Sequence, residues 1–169
     1  MTTKLILKKA TRIEGNADIH IEFDENRLKS ARFQVLEFRG FEKFVSGRRT
    51  EWVPHMISRI CGLCSTAHQV AGTRAVENAL GLVPDARTRH LREIMVLGEW
   101  ISSHSLSYFF LTLPDFVGTE GGVFELRNHH PEIFDEAFSL RRSAMHLVQL
   151  FGKRDTHPVT LAPGRFLAS

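Results

Sequence analysis

Cysteine is scarce in this sequence: its 169 residues include only Cys61 and Cys64, which form a single Cys-x-x-Cys pair. A scaffold held by several disulfide bonds is therefore excluded. The composition also excludes a disordered chain, because 43% of the residues are hydrophobic and 24% are charged, close to the average of globular proteins. What remains is a folded chain with one pair of thiols.

Long apolar runs and long basic runs are also absent. The most apolar stretch, residues 106–113, is interrupted by polar side chains, whereas a membrane span needs about 20 apolar residues. Near the N-terminus the apolar run Leu5-Ile6-Leu7 is too short for a secretory signal, which needs roughly 7–15. The net charge of +3 is spread along the chain without a basic cluster. The sequence thus predicts no membrane span, no nucleic-acid partner and a cytoplasmic location.

The first part of the chain has the alternating pattern of β-strands. Apolar and polar residues alternate over residues 4–8, 19–23 and 33–37, and Asp24-Glu25-Asn26 is typical of a turn between the second and third of these segments. This pattern predicts a small antiparallel sheet with one buried face.

The rest of the chain has apolar residues at helical spacing. Short helices are predicted over residues 41–46 and 52–58, and long helices over residues 62–80, 89–113 and 131–151. Gly81, Pro114 and Gly152 are placed to end the three long helices, and the two longest are expected to pack antiparallel. Residues 156–169 contain Pro158, Pro163 and Gly164 without periodicity, which predicts an unstructured, exposed end. The predicted class is α+β: a small N-terminal sheet followed by a bundle of long helices, as one domain over residues 1–169.

The segment from Arg59 to Cys64, followed by His68, is the sharpest feature of the sequence. Two thiols three residues apart at the start of a helix can chelate one soft metal, and the helix N-terminus and Arg59 both favour thiolate. His68 lies one turn after Cys64 and could donate a hydrogen bond to a ligating sulfur. The pair by itself leaves four interpretations open: a zinc half-site completed by His55 and His68, a redox pair, a soft transition-metal site, and inert thiols.

Further motifs surround this pair in a particular order. They are Thr11-Arg12-Ile13-Glu14-Gly15, Phe38-Arg39-Gly40-Phe41-Glu42 with Gly47-Arg48, the Cys61–Cys64 segment, Ser103-His104, Leu113-Pro114-Asp115-Phe116, and residues 152–159 with His157-Pro158. Together they resemble the N-terminal half of the large subunit of nickel–iron hydrogenases, most of all the cytoplasmic class coupled to soluble cofactors. The resemblance covers essentially the whole chain.

The resemblance implies a role for each matching residue. Cys61 would be a terminal thiolate ligand of nickel, and Cys64 would bridge nickel and an iron that carries carbonyl and cyanide ligands. His68 would hydrogen-bond the bridging sulfur, and Arg59 would support the cysteine loop. Glu14 would be the carboxylate that relays protons, and Glu42 would be a ligand of a structural magnesium ion. His157 would lie near the face that meets the iron–sulfur subunit.

The family carries a second Cys-x-x-Cys near the end of its large subunit, and this sequence has no counterpart to it. The resemblance therefore implies a separate chain that supplies the other two thiolates, an iron–sulfur small subunit, and a flavin-bearing electron-acceptor module. The expected activity is oxidation of dihydrogen or reduction of protons within a complex, with the chain a split or truncated large subunit. The alternatives are a non-catalytic structural subunit of a hydrogenase-like electron-transfer complex and a free-standing zinc or thiol protein.

Overall fold

A computed structural model of the chain describes residues 2–118 and 121–167. The chain divides into two compact units, the first ending at Gly40 and the second starting at Phe41. The predicted organisation as one domain over residues 1–169 stays a prediction.

The first unit is built on a three-stranded antiparallel sheet in the order β1-β2-β3. The strands are β1 (Thr2–Leu7), β2 (Ala17–Asp24) and β3 (Arg27–Val35). The predicted sheet is confirmed, but β3 starts at Arg27, six residues before the alternating segment 33–37 that predicted this strand. The reason is a β-bulge: Glu22 pairs with Ser30 and Phe23 with Leu28, so Lys29 is the extra residue and the alternation changes phase there.

The turn between β2 and β3 lies where the sequence predicts it. Asp24 pairs with Arg27 across a two-residue loop. The two loop residues, Glu25 and Asn26, have positive φ values of 45° and 63°. Two central residues with positive φ define a type I′ turn, whose twist matches that of a hairpin.

The second unit contains the helices, which confirms the predicted α+β class. They are α1 (Phe41–Phe44), α2 (Val53–Ile57), α3 (Ser65–Leu80), α4 (Ala86–Ser105), α5 (Leu113–Phe116), α6 (Val123–His129) and α7 (Pro131–Gly152). Gly81 ends α3 with a left-handed φ of 67°, as predicted. α6 has no counterpart among the predicted elements. Among the described residues, no helix is both long enough and apolar enough to span a membrane.

The prediction that Pro114 ends the long helix is wrong. After α4 the chain continues as a π-helical segment, Leu106–Thr112, and then as α5. Pro114 has no N–H to donate to the preceding turn, and the wider π turn accommodates it because the Leu113 N–H already bonds to the Tyr108 carbonyl five residues back. Pro114 therefore lies in the first turn of α5.

The two longest helices pack antiparallel, as predicted. Gly98 of α4 lies against Ala144 and Val148 of α7. Seven residues further along α4, the Ser105 hydroxyl donates to the Ala137 carbonyl at 3.3 Å. Residues later in α4 therefore contact residues earlier in α7, so the two helices run in opposite directions.

The prediction of an unstructured, exposed C-terminal segment is wrong for the described residues up to 167. Leu161 is completely buried in the core with Val70 and Met95. It belongs to a short hairpin of β4 (Leu161–Ala162) and β5 (Arg165–Phe166). The strands of this hairpin are too short, and too close to prolines and glycine, to show an alternating pattern in the sequence. The burial of Leu161 depends on helices that are distant in the chain. Residues 168 and 169, also part of that prediction, lie outside the described residues.

A buried ion pair holds this hairpin on the helices. The Arg92 guanidinium of α4 donates to both carboxylate oxygens of Glu77 of α3, at 2.7 and 2.9 Å. Glu77 also accepts from the Gly164 N–H at 2.7 Å, and Arg92 donates to the Ala162 carbonyl at 3.0 Å. The side chains of Arg92 and Glu77 are only 4% and 3% exposed. The pair therefore connects α3, α4 and the hairpin.

Gly152 is the last residue of α7, not the residue after it, and Lys153 takes the left-handed conformation in its place. A Cβ at Gly152 would lie 2.9 Å from Pro158 Cβ and 3.0 Å from Met95 Cε. We expect Gly152→Ala to lower the free energy of unfolding by about 1–3 kcal/mol, because overpacking exceeds the gain in helix propensity. Urea unfolding measures the change. The control Ser143→Ala, at an exposed position of α7, should stay within about 0.5 kcal/mol of the parent, and an equal effect of both variants would contradict the prediction.

Candidate metal centre

The two cysteines occupy a tight loop that leads into α3. Cys61 is extended, with φ −146° and ψ 140°, and follows a 3₁₀ turn over Ser58–Ile60. Cys64 is the N-cap residue of α3, and its backbone N–H donates to the Cys61 sulfur at 3.3 Å. Cys61 is 7% exposed, Cys64 is half-buried, and the two form no disulfide bond. A backbone N–H directed at sulfur stabilises a thiolate, because it is a hydrogen bond to the charged form.

The start of α3 is capped by a residue that sequence reasoning missed. The Cys64 side chain makes no capping hydrogen bond. Instead the Glu99 carboxylate of α4 accepts the N–H groups of Thr66 at 2.6 Å and Ala67 at 2.9 Å. These two N–H groups therefore point at a carboxylate, whereas the N–H of Cys64 points at the sulfur of Cys61. The available signal was the position of Glu99 beside Gly98 and Ser102, on the buried face of α4.

The entry to the cysteine loop is fixed by α2, which lies against α3. A Cβ at Gly72 of α3 would collide with the Ile57 side chain, so only glycine allows the two helices to approach this closely. The Gln69 amide bonds to Nδ1 of His55 at 3.0 Å. Burial and the nearby Arg59 charge lower the pKa of His55, so this histidine is held as a neutral hydrogen-bonding partner. The 3₁₀ turn before Cys61 is thereby anchored to α3.

The chain after α7 returns to the same loop. The backbone N–H of His157 donates to Oγ of Ser65, the residue after Cys64, at 3.0 Å. His157 has a strained, left-handed φ of 53°, and its Nδ1 is buried without a hydrogen-bond partner among the described residues. Burial, followed by the charge of Arg59, lowers the pKa of His157. His157 therefore lies beside the cysteine loop, and its predicted position near the face that meets an iron–sulfur subunit stays a prediction.

The second unit brings Arg59, Cys61, Cys64 and His157 into one region. His68 is half-buried in the first turns of α3, where its N–H donates to the Cys64 carbonyl at 3.1 Å. Glu42 lies in α1 and is exposed. Glu14 belongs to the first unit, in the segment that connects β1 and β2.

The donor set fits part of a soft-metal centre. Two reduced thiols with an N–H···S hydrogen bond between their residues form a ligand pair suited to soft metals. Within residues 2–118 and 121–167, no three or more His, Cys, Asp or Glu side chains form a group that could hold a metal ion. A structural zinc site needs four ligands, so the predicted completion by His55 and His68 has no support in the described residues.

Comparisons with known proteins agree with this arrangement. The nickel-dependent hydrogenase family matches residues 39–122, and a HoxL-like family matches residues 4–38. One subunit of the F420-non-reducing hydrogenase of Methanothermobacter marburgensis is 37% identical over 169 residues, which cover 95% of this chain and 36% of that protein. The alpha subunit of sulfhydrogenase 2 of Pyrococcus furiosus is 34% identical over 161 residues, which cover 95% of this chain and 39% of that protein.

Solved structures give the same fold. An NAD+-reducing [NiFe]-hydrogenase in the H2-reduced state superposes with a TM-score of 0.82 and 25% identity, over 98% of this chain and 39% of that one. A variant of the [NiFeSe] hydrogenase from Desulfovibrio vulgaris Hildenborough superposes with a TM-score of 0.78 and 28% identity, over 99% of this chain and 37% of that one.

Fold, cysteine loop and sequence matches together define a hydrogenase large-subunit fold. The chain belongs to the nickel-dependent hydrogenase family, and it corresponds to the N-terminal part of the large subunit. It spans less than half the length of the curated relatives that it matches.

Proposed function

We propose that this chain is part of the large subunit of a nickel–iron hydrogenase, where it supplies two of the four thiolates of the nickel–iron site. The observation that carries the proposal is the pair of reduced thiols at the start of α3, joined by the Cys64 N–H···Sγ hydrogen bond to Cys61. It lies within the segment that matches the nickel-dependent hydrogenase family. The other two thiolates would come from a second Cys-x-x-Cys pair outside residues 1–169.

The two cysteines would have different positions in this site. Cys61 would bind nickel alone, and Cys64 would bridge nickel and an iron that carries carbonyl and cyanide ligands. When bound, such a centre supplies the Lewis acid that polarises dihydrogen. The protein's own contribution would be to present both sulfurs to the metals and to limit the access of bulk water to the buried Cys61.

Glu14 would carry the proton away from the site. A thiolate ligand of the centre would be the first base for the proton that leaves dihydrogen. The Glu14 carboxylate would then accept the proton and pass it towards solvent.

His68 and Arg59 would act on the cysteine loop itself. His68 would hydrogen-bond the bridging sulfur of Cys64, which tunes the basicity of a ligand without binding the metal. Arg59 would support the loop electrostatically, since its charge already influences the neighbouring histidines His55 and His157.

Glu42 and His157 would connect the chain to the rest of the complex. Glu42 in α1 would be one ligand of a structural magnesium ion, whose other ligands would come from outside the described residues. His157 would lie near the face that meets an iron–sulfur small subunit, the partner that accepts electrons because protons and electrons leave by different routes. The strained backbone of His157 and its unpartnered Nδ1 support a role beyond packing.

The complex would be a cytoplasmic enzyme with a flavin-bearing electron-acceptor module. A relative 29% identical over 180 residues is the beta subunit of the NAD-reducing hydrogenase HoxS from Cupriavidus necator. Similarity to that relative supports a soluble electron acceptor for the proposed complex, whether the complex oxidises dihydrogen or reduces protons.

Metal analysis of the purified complex tests the proposal. We expect nickel and iron in the complex, infrared bands of carbonyl and cyanide bound to iron, and hydrogen uptake with an artificial electron acceptor. Zinc alone would favour the zinc protein. Absence of metal would favour the non-catalytic structural subunit of a hydrogenase-like complex.

A further inference from the structure

Glu99 caps the helix that carries the cysteines, although it lies on a different helix. Its residue is 7% exposed, and both of its carboxylate oxygens accept backbone N–H groups in the first turn of α3. Within the described residues it forms no ion pair with a lysine or arginine. A buried carboxylate of this kind is stabilised by the hydrogen bonds and by the positive end of the helix.

An N-cap residue normally satisfies these N–H groups with its own side chain. Here the N-cap is Cys64, which makes no such bond. A cysteine that caps its helix would turn its sulfur towards Thr66 and Ala67 and away from a metal. Because Glu99 accepts both N–H groups, the start of α3 is capped without a capping bond from the Cys64 side chain.

We propose that Glu99 is a positioning residue of the metal centre, which fixes the start of α3 and thereby the separation and direction of the Cys61 and Cys64 sulfurs. The inference rests on the proposed role of the two thiols as metal ligands. It does not make Glu99 a ligand or a proton carrier, because both of its oxygens are already engaged by backbone N–H groups.

Two substitutions separate position from charge. Glu99→Gln keeps the shape but replaces one acceptor oxygen by an NH2 group that faces a backbone N–H. Glu99→Asp keeps the charge but is one methylene too short to reach both N–H groups from α4. A positioning role is lost in both variants. If only the negative charge of Glu99 mattered, Glu99→Asp would behave like the parent. Glu99→Gln alone would then bind the metal cation more weakly.

The first readout is independent of any metal. The full chain is treated with dibromobimane, which becomes fluorescent only when it bridges two thiols, so its rate reports how often the sulfurs are in reach of each other. We expect slower bridging in both Glu99 variants than in the parent once each rate is divided by the rate of reaction with monobromobimane, which depends on the exposure of the buried Cys61 and not on the separation of the sulfurs. Glu93→Gln, at an exposed position on the same helix, is the control and should react at the parental rate.

The second readout is nickel affinity, followed by the thiolate-to-nickel absorption of the full chain and by the nickel content of the purified complex. We expect both Glu99 variants to bind nickel about 10–100-fold more weakly, the usual effect of removing a residue that orients a ligand. Circular dichroism checks the helical content of each variant. If Glu99→Gln does not fold, Glu99→Asp alone is compared with the parent and with Glu93→Gln.

The outcomes distinguish the inference from the function on which it rests. Bridging and nickel affinity equal to those of Glu93→Gln in both variants would overturn the positioning role, as would parental behaviour of Glu99→Asp with a loss confined to Glu99→Gln. Absence of nickel from the parent complex, together with slow bridging in both variants, would overturn the proposed function and retain the effect of Glu99 on the sulfurs.

Discussion

Replacing Cys64 with serine will abolish hydrogen uptake while leaving the subunits assembled. A serine hydroxyl stays protonated at neutral pH and is a hard oxygen donor, whereas the proposed bridge between nickel and iron requires a soft thiolate. The substitution removes one sulfur atom from a half-buried position and leaves the Cys64 backbone N–H available to Cys61. We therefore expect uptake below the detection limit and little change in stability.

Hydrogen uptake with an artificial acceptor, nickel content and co-purification of the partner subunits are the three measurements. The control Ser143→Ala should match the parent in all of them. Normal uptake by Cys64→Ser would refute the assignment of this sulfur to the metal centre. Loss of assembly with no change of nickel content per assembled complex would instead indicate a structural role for Cys64.

Replacing Glu77 with glutamine will cause the largest loss of stability that we expect from a single substitution outside the metal site. The change leaves the buried Arg92 guanidinium without its counter-charge, and such a loss costs about 3–5 kcal/mol. Gly164 also loses part of its acceptor, which loosens the hairpin of β4 and β5. Denaturant unfolding measures the change in free energy.

The effect of Glu77→Gln should depend on pH in a defined direction. Burial by itself raises the pKa of Glu77, but the hydrogen bonds from Arg92 and Gly164 outweigh it, so that the pKa lies below its ordinary value of 4.5. A carboxylate with a lowered pKa in the folded state stabilises the protein above pH 4.5, and this contribution is lost as the pH falls through the folded-state pKa. The stability difference between parent and variant should therefore be full at neutral pH and shrink in acid.

Two further variants test whether the ion pair itself is responsible. Glu93→Gln removes an exposed carboxylate and should change the free energy of unfolding by less than about 0.5 kcal/mol. The double variant Glu77→Leu with Arg92→Met should be more stable than Glu77→Gln, because a hydrophobic pair is tolerated where a single buried charge is not. A loss in Glu77→Gln that is independent of pH would contradict the electrostatic explanation.

Local patterns in the sequence predicted the elements whose signals are themselves local. The turn before β3 and the left-handed Gly81 after α3 both follow from residue types within a few positions. The sequence failed where the signal was interrupted or distant. The bulge at Lys29 interrupted the alternation at the start of β3, and a π-helical segment continued the helix past Pro114.

The cysteine pair itself was evident in the sequence, but its surroundings were not. Glu99 and His157 contact the loop and its helix from positions that no spacing rule connects with Cys61 or Cys64. The same holds for the C-terminal hairpin, whose burial depends on Glu77 and Arg92. Contacts between residues far apart in the chain are set by how the helices pack.

The sequence by itself determined the class of the protein, because its ordered motifs carry that information directly. Only the tertiary structure decided what holds the thiols in place: a carboxylate from α4 at the start of α3, and a histidine backbone that returns after α7. The physical reason is that hydrogen-bonding groups in the interior must find partners wherever packing brings them. Those partners come from folding in three dimensions and not from neighbours in the chain.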